Sequence, residues 1–199
     1  MALASCNSPK SAGENPFFTE WDTPHGVPPF DKILPEHFMP AFERGMSLHE
    51  AEIDAITSNK DEATFENTIL AYDNAGQMLA QTELVFGMLC AAETNDRMQA
   101  LQEQAMPLLA AHRDKIRLDD KLFVRVKEVY DRRAALGLDA EQMRLLQKTY
   151  DSFVRAGALL DAEQKARLKE INGQLSLTAV KFGNNILAEN DNFVLELKS

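Results

Sequence analysis

Apolar or small residues recur at Leu168, Ile171, Leu175, Ala179, Phe182 and Ile186, in steps of three and four. That spacing draws one stripe along a helix. Asp161 stands at the N-cap with Gln164 three residues on, a near capping box. The pattern predicts a helix from Asp161 to about Asn190, roughly 45 Å long at about 1.5 Å per residue. A helix of that length needs neighbours along its stripe, and the earlier segments supply them. Phe42, Met46, His49, Ile53 and Ile56 form one such face behind Pro40, a residue suited to a first helical turn, and Pro35 to Phe38 predicts a short turn before it. Thr64 caps the next helix, with Phe65, Ile69, Tyr72, Leu79, Phe86 and Cys90 on one face. Asn95 or Thr94 caps another, with Met98, Leu101, Ala105, Leu108 and His112 inward.

Pro107 interrupts that helix. Proline has no N–H for the Glu103 carbonyl and its ring clashes there, which predicts a kink near Met106 or two helices. Asp119 caps a helix carrying Leu122, Val126, Val129 and Tyr130, which Gly137 follows where helices stop. Asp139 caps the next, with Met143, Leu146, Tyr150, Phe153, Gly157 and Leu160. In the long last helix, Gly173 and Gly183 each cost about 1 kcal/mol against Ala, which predicts close packing or a slight bend. Leu177, Val180 and Leu187 lie off its main stripe, so more than one face needs cover.

Two stretches follow no helical period. Asn15 to Phe30 is rich in proline and aromatics and reads as an ordered strap whose rings plug into the helices. Phe193, Leu195 and Leu197 alternate with Val194, Glu196 and Lys198, a short strand signal without a mate. The chain reads as cut there. The predicted architecture is all-α: an antiparallel bundle of about six helices, an irregular N-terminal strap and one short C-terminal strand. Residues 1–14 read as a flexible tether and 15–199 as one helical domain.

Composition narrows the function. The 199 residues are 45% hydrophobic and 26% charged, ordinary for a globular domain. The formal net charge of −10 argues against a general nucleic-acid binder, which needs clustered cations. Arg113, Lys115, Arg117, Arg132 and Arg133 read as solvated helix faces. The two cysteines, Cys6 and Cys90, make no disulfide framework, and Cys90 reads as a buried thiol on an apolar face. No apolar run is long enough to span a membrane.

Catalytic constellations are missing. His49-Glu50-Ala51-Glu52-Ile53 begins the helical zinc-protease pattern and fails it, because Ile53 stands where the second histidine must be. His49 therefore reads as a helix-face or core-edge histidine. None of His25, His37, His49 and His112 has a glutamate three residues before it, as a di-iron bundle requires. No Gly-x-Ser-x-Gly elbow is present. No catalytic or metal-ligating residue is assigned.

The N-terminus carries one modification signal. Leu3-Ala4-Ser5-Cys6 resembles a bacterial lipobox, in which the cysteine becomes the lipidated mature N-terminus. Only Met1 and Ala2 precede it, so the reading requires a trimmed signal. Cys6 is the lipid-anchor candidate. It places the protein in the bacterial cell envelope or periplasm and gives it its one route to a membrane; a chance match leaves the cytoplasm.

Several phrases are more specific than any spacing. They are Asn15-Pro16-Phe17, Phe30-Asp31-Lys32-Ile33, Pro35-Glu36-His37-Phe38-Met39-Pro40-Ala41-Phe42 and Thr64-Phe65-Glu66-Asn67-Thr68-Ile69. Thr94-Asn95-Asp96, Arg132-Arg133-Ala134-Ala135-Leu136-Gly137-Leu138 and Phe153-Val154-Arg155-Ala156-Gly157-Ala158 follow. From about residue 15 to 199 the chain resembles the N-terminal part of a peptidyl-dipeptidase. That is the dipeptidyl carboxypeptidase branch of the zinc oligopeptidases, which also include thimet oligopeptidase and neurolysin. The resemblance implies a two-lobed helical enzyme about three times this length, with a deep channel for short peptides. It implies a zinc site, with a His-Glu-x-x-His helix and a third Glu ligand, far beyond this segment. No zinc or catalytic residue of the family maps here. By that resemblance the segment is a channel wall and size filter, inactive alone, whose partners are oligopeptides and a catalytic domain. Two alternatives stay open: a free-standing helical binding or scaffold domain, and the N-terminal part of an endo-acting oligopeptidase.

Overall fold

Short polar side chains set the starts of the last four helices. The computed structural model describes residues 15–194. Within them run α1 (Phe38–Ser58), the single turn α2 (Ala71–Asp73), α3 (Gln77–Ala92), α4 (Asp96–Arg117), α5 (Asp120–Asp131), α6 (Ala140–Arg155) and α7 (Ala162–Asn192). Asn95, Asp119, Asp139 and Asp161 each accept a backbone N–H from the first turn of α4, α5, α6 and α7. Those donors have no partner within the helix. Gln142 and Gln164 complete capping boxes. Thr64 and Asn67 do the same for the π turn Phe65–Leu70, which leads into α2. The all-α reading is borne out.

Cross-helix contacts fix the directions. Phe42 meets Phe86, and Glu52 reaches Gly76 just before α3, so α1 and α3 run antiparallel. Glu83 pairs with Arg113 across α3 and α4. Phe123 faces Phe153 and Tyr130 stacks on Tyr150 at 3.8 Å, which sets α5 against α6 in opposite directions. Lys165 reaches the Leu118 carbonyl and Asn172 reaches Asp114, so α7 runs back along α4. The helices α1 and α4 run parallel: Glu36 pairs with Arg97 at one end, His49 with His112 further along.

The interior divides into two cores. One gathers Phe17, Ile33, Phe38, Phe42, Phe86 and Leu109. The other gathers Ile53, Phe65, Ile69, Ile116, Leu122 and Phe153. The helices α1 and α4 contribute to both. The strap closes the first core as expected. Phe17 is buried with its ring 5.3 Å from Phe38, Trp21 Nε1 donates to the Pro16 carbonyl at 2.8 Å, and Arg44 lies over Phe18. Across the other core, buried Arg125 donates to the carbonyls of Asn59 and Asp61 and to Asn67 Oδ1. It thereby pins the link between α1 and the π turn.

Four expectations change. The segment from Thr64 to Cys90 is not one helix; it breaks at Gly76, whose φ is 74°, a left-handed value that suits glycine. The helix α4 runs unbroken from Asp96 to Arg117 through Pro107, so there are not two helices. Its inward face passes through Leu109 and Ile116, and Leu108 is exposed. Phe193 and Val194 are exposed coil, with no strand among the described residues; Leu195 and Leu197 lie outside those residues.

The fourth correction concerns α7. Past Leu168, which is half-buried beside Gly157, the stripe expected in the core faces outward: Leu175 is 62% and Phe182 66% exposed, and Ile171 and Ile186 are exposed too. The inward side instead carries Lys165, Asn172, Ser176 and Val180, all buried or half-buried. Polar bonds set this rotation. Asn172 Nδ2 donates to Asp114 Oδ1 at 2.8 Å, and buried Lys165 pairs with Asp120 while donating to the Leu118 carbonyl. Leaving a buried ammonium without partners costs more than leaving a leucine in water. Gly173 and Gly183 do not mark close packing, because a Cβ at either would meet nothing within 4 Å.

Candidate functional site

A group of ionisable side chains lies where the two cores meet. α1 brings His49, Glu50 and Glu52; α4 brings His112 and Lys115; the turn before α3 brings Gly76. His112 Nε2 lies 3.0 Å from His49 Nδ1, and the His112 side chain is only 3% exposed. Its other nitrogen, Nδ1, is 3.5 Å from Glu50 Oε1, at the far limit of a hydrogen bond. That atom has no formed partner, so the contact is electrostatic. The carboxylate favours the tautomer with its proton on His112 Nδ1, leaving Nε2 to accept from His49 Nδ1–H. Glu50 is held by Lys115 at 2.7 Å, and that hydrogen bond pulls its carboxyl below the usual range.

Burial dominates both histidines. Desolvation lowers the pKa of each, and for His49 the neighbouring His112 adds to the effect. Both therefore favour the neutral form. Glu52, also beside His49, accepts the Gly76 N–H at 2.7 Å. A Cβ at Gly76 would stand 2.9 Å from His49 Nδ1. This cluster ties α1, α3 and α4 together.

The described residues do not fit a zinc site. The facing nitrogens of His49 and His112 are engaged with each other, and Glu50 is engaged by Lys115. No group of three His, Cys, Asp or Glu side chains among the described residues is placed to hold a metal ion. Ile53, where the second histidine of a protease helix would stand, is buried in the second core.

His49 thus sits at a core edge, as its position on the apolar face suggested. The sequence reading missed its partner. Both histidines fell on predicted inward faces, which was a usable signal, but pairing them required the parallel arrangement of α1 and α4. Arg125, with three backbone and side-chain acceptors, was missed as well. The cation clusters are partnered: Arg113 pairs with Glu83, Lys115 with Glu50, Arg132 with Glu62, and Arg133 stacks on Tyr130. Cys90 is half-buried against the aromatic core, and burial raises its pKa, which makes it a poor nucleophile at neutral pH. No helix among the described residues is long and apolar enough to cross a membrane. Cys6 lies outside those residues.

Comparison with known proteins supplies what the site does not. No protein-family model matches the chain. A dipeptidyl carboxypeptidase of Escherichia coli K12 is 41% identical over 176 residues, which are 88% of this chain and 26% of that protein. This chain is similar to the N-terminal part of the dipeptidyl carboxypeptidases. The enzyme of that name from Salmonella typhimurium is 38% identical over 87% of the chain. Oligopeptidase A of Escherichia coli K12 is 24% identical over 83%. The chain spans about a quarter of the length of each of these relatives. The resemblance carried by the quoted phrases is borne out, with the dipeptidyl carboxypeptidase branch ahead of oligopeptidase A in identity.

Proposed function

We propose that this chain is the N-terminal helical domain of a zinc metallopeptidase that removes dipeptides from the C-termini of oligopeptides. The observation that carries the reading is the 41% identity over 88% of the chain to a dipeptidyl carboxypeptidase. The domain forms a wall of the peptide channel and restricts entry to short, unstructured chains. It does no chemistry itself. The metal belongs to the remainder of the protein, where zinc supplies an activated water and polarises the scissile carbonyl.

The helical framework supports this role. The starts of α4, α5, α6 and α7 are capped by side chains, and two aromatic-rich cores lock α1 and α4. A wall that filters by size must resist deformation, and side chains held between two packed cores do so.

The test uses the full-length protein with N-acetylated oligopeptides, reading products by mass spectrometry. Dipeptides should leave one after another from the C-terminus. C-terminal amidation should suppress release, and a chelator should abolish it until zinc is returned. Internal cleavage of amidated peptides would replace this reading with an endo-acting oligopeptidase. Absence of any cleavage by the zinc-loaded protein would favour a binding or scaffold domain.

A further inference from the structure

The helix α7 presents three faces. At about 100° per residue, Lys165, Asn172, Ser176 and Val180 fall on one side and are buried or half-buried; Asn172 meets Asp114 of α4, and Lys165 the Leu118 carbonyl at the end of α4. Arg167, Glu170, Gln174 and Lys181 fall on a polar face, open to water. Ile171, Leu175, Phe182 and Ile186 lie between the two, roughly 110° round the axis from the α4 seam, and all are exposed. The stripe is about 22 Å long, about fifteen steps of about 1.5 Å each. Exposed Phe193 and Val194 follow it directly where α7 ends. Scattered exposed apolar residues are normal, but a contiguous row on a long helix marks an interaction surface.

We infer that the row Ile171–Leu175–Phe182–Ile186 is the docking surface for the polypeptide that follows Ser199 in the full-length protein. The inference rests on the reading that this chain is the N-terminal part of a longer protein. The chain spans 26% of the length of the dipeptidyl carboxypeptidases it matches. By that measure about three quarters of the full-length protein remains to cover the row. That polypeptide is also tethered next to it. The backbone leaves α7 at Asn192, six residues past Ile186, so the following segment meets the row at the high effective concentration of a short linker. A second copy is disfavoured by the net charge of −10 on each chain, which opposes self-association. The partner surface is apolar and elongated, matching a row of about four helical turns, such as the side of another helix.

Single cysteines in the full-length protein test this. Leu175→Cys and Phe182→Cys probe the row, and Lys181→Cys probes the polar face. An aqueous maleimide labels each under native conditions, and peptide mass spectrometry reads the labelling rate at each position. Leu175→Cys and Phe182→Cys should react at least tenfold more slowly than Lys181→Cys, at every protein concentration. Comparable rates at all three positions would overturn the inference. Protection that disappears on dilution, together with a dimer in sedimentation, would overturn it in favour of a second copy. If a cysteine variant fails to fold, hydroxyl-radical footprinting of the unsubstituted protein reads Phe182 directly. Slow oxidation there agrees with docking, and oxidation at the rate of a free phenylalanine refutes it. Peptide release is assayed separately on the same sample. Its absence would remove the proposed function and leave the labelling result standing.

Discussion

Gly76 and His49 meet with no room for a side chain between them: a Cβ at Gly76 would stand 2.9 Å from His49 Nδ1. The same glycine has φ 74° and donates its N–H to Glu52. One residue thus ends the helical run that began at Phe65, turns the chain into α3 and abuts the histidine pair. Replacing it with alanine should cost about 1–2 kcal/mol for the left-handed backbone alone, and more for displacing the imidazole. Urea unfolding of Gly76→Ala, His49→Ala and the double variant measures the coupling. A Gly76→Ala loss of the same size in both backgrounds would show that the histidine contact contributes nothing.

The histidine pair makes stability depend on pH in a defined direction. Burial lowers the folded-state pKa of both His49 and His112, so between the folded and unfolded values the unfolded chain binds more protons. Their contribution is complete above the unfolded pKa, about 6.5. It is lost as pH falls through that value toward the folded ones. Each proton changes stability by at most about 1.4 kcal/mol per pH unit. The groups facing the pair are Glu50 and Glu52 on α1 and Arg113 and Lys115 on α4. Glu50 is held ionised by Lys115 throughout this window and does not cause the change. The melting temperature should drop between pH 7.5 and 5.5, and the drop should shrink in His49→Gln with His112→Gln. Parallel curves for the two proteins would refute the assignment.

Gly173 and Gly183 stand in helical backbone with open space where a Cβ would go. Alanine at either should stabilise this chain by about 0.5–1 kcal/mol, through helix propensity and a less disordered unfolded state. The reading is the shift in urea midpoint at constant slope. A midpoint that moves down would mean that α7 sits closer to its neighbours at these positions.

Cys6 remains a proposed lipid anchor, supported by the Leu3-Ala4-Ser5-Cys6 phrase. In that case the gene encodes an apolar stretch of about ten residues ahead of it. Labelled palmitate should then enter the full-length protein in bacteria and vanish in Cys6→Ala. Labelling that survives the substitution, or none in either protein, would return the protein to the cytoplasm.

What the sequence made legible was local. Caps at Asn95, Asp119, Asp139 and Asp161 act within three residues of themselves, and each was readable without the fold. Positions such as Phe42, Leu122 and Phe153 were readable because they bury on helical period alone. The rotation of α7 was not, because Asn172 answers to Asp114, which lies 58 residues away. Large apolar residues drew the stripe that the sequence favoured, while a lysine and an asparagine decided which side met α4. The break at Gly76 was hidden for a similar reason, since its acceptor is Glu52 in another helix. In the site, His49 was readable as a core-edge residue. Its bond to His112 crosses 63 positions and needed the parallel packing of α1 and α4 first.

The division of the interior into two cores, with the histidine pair between them, bears on how this chain opens. The two cores, one in each half of the interior, share no side chain, so either half can lose its packing while the other keeps its own. Only α1 and α4 are rooted in both. Their central amides, near His49 and His112, should therefore exchange with solvent only when the whole chain unfolds. Amides in α3 should follow the first half and those in α5 and α6 the second, as two separable cooperative units joined by a common pair of helices.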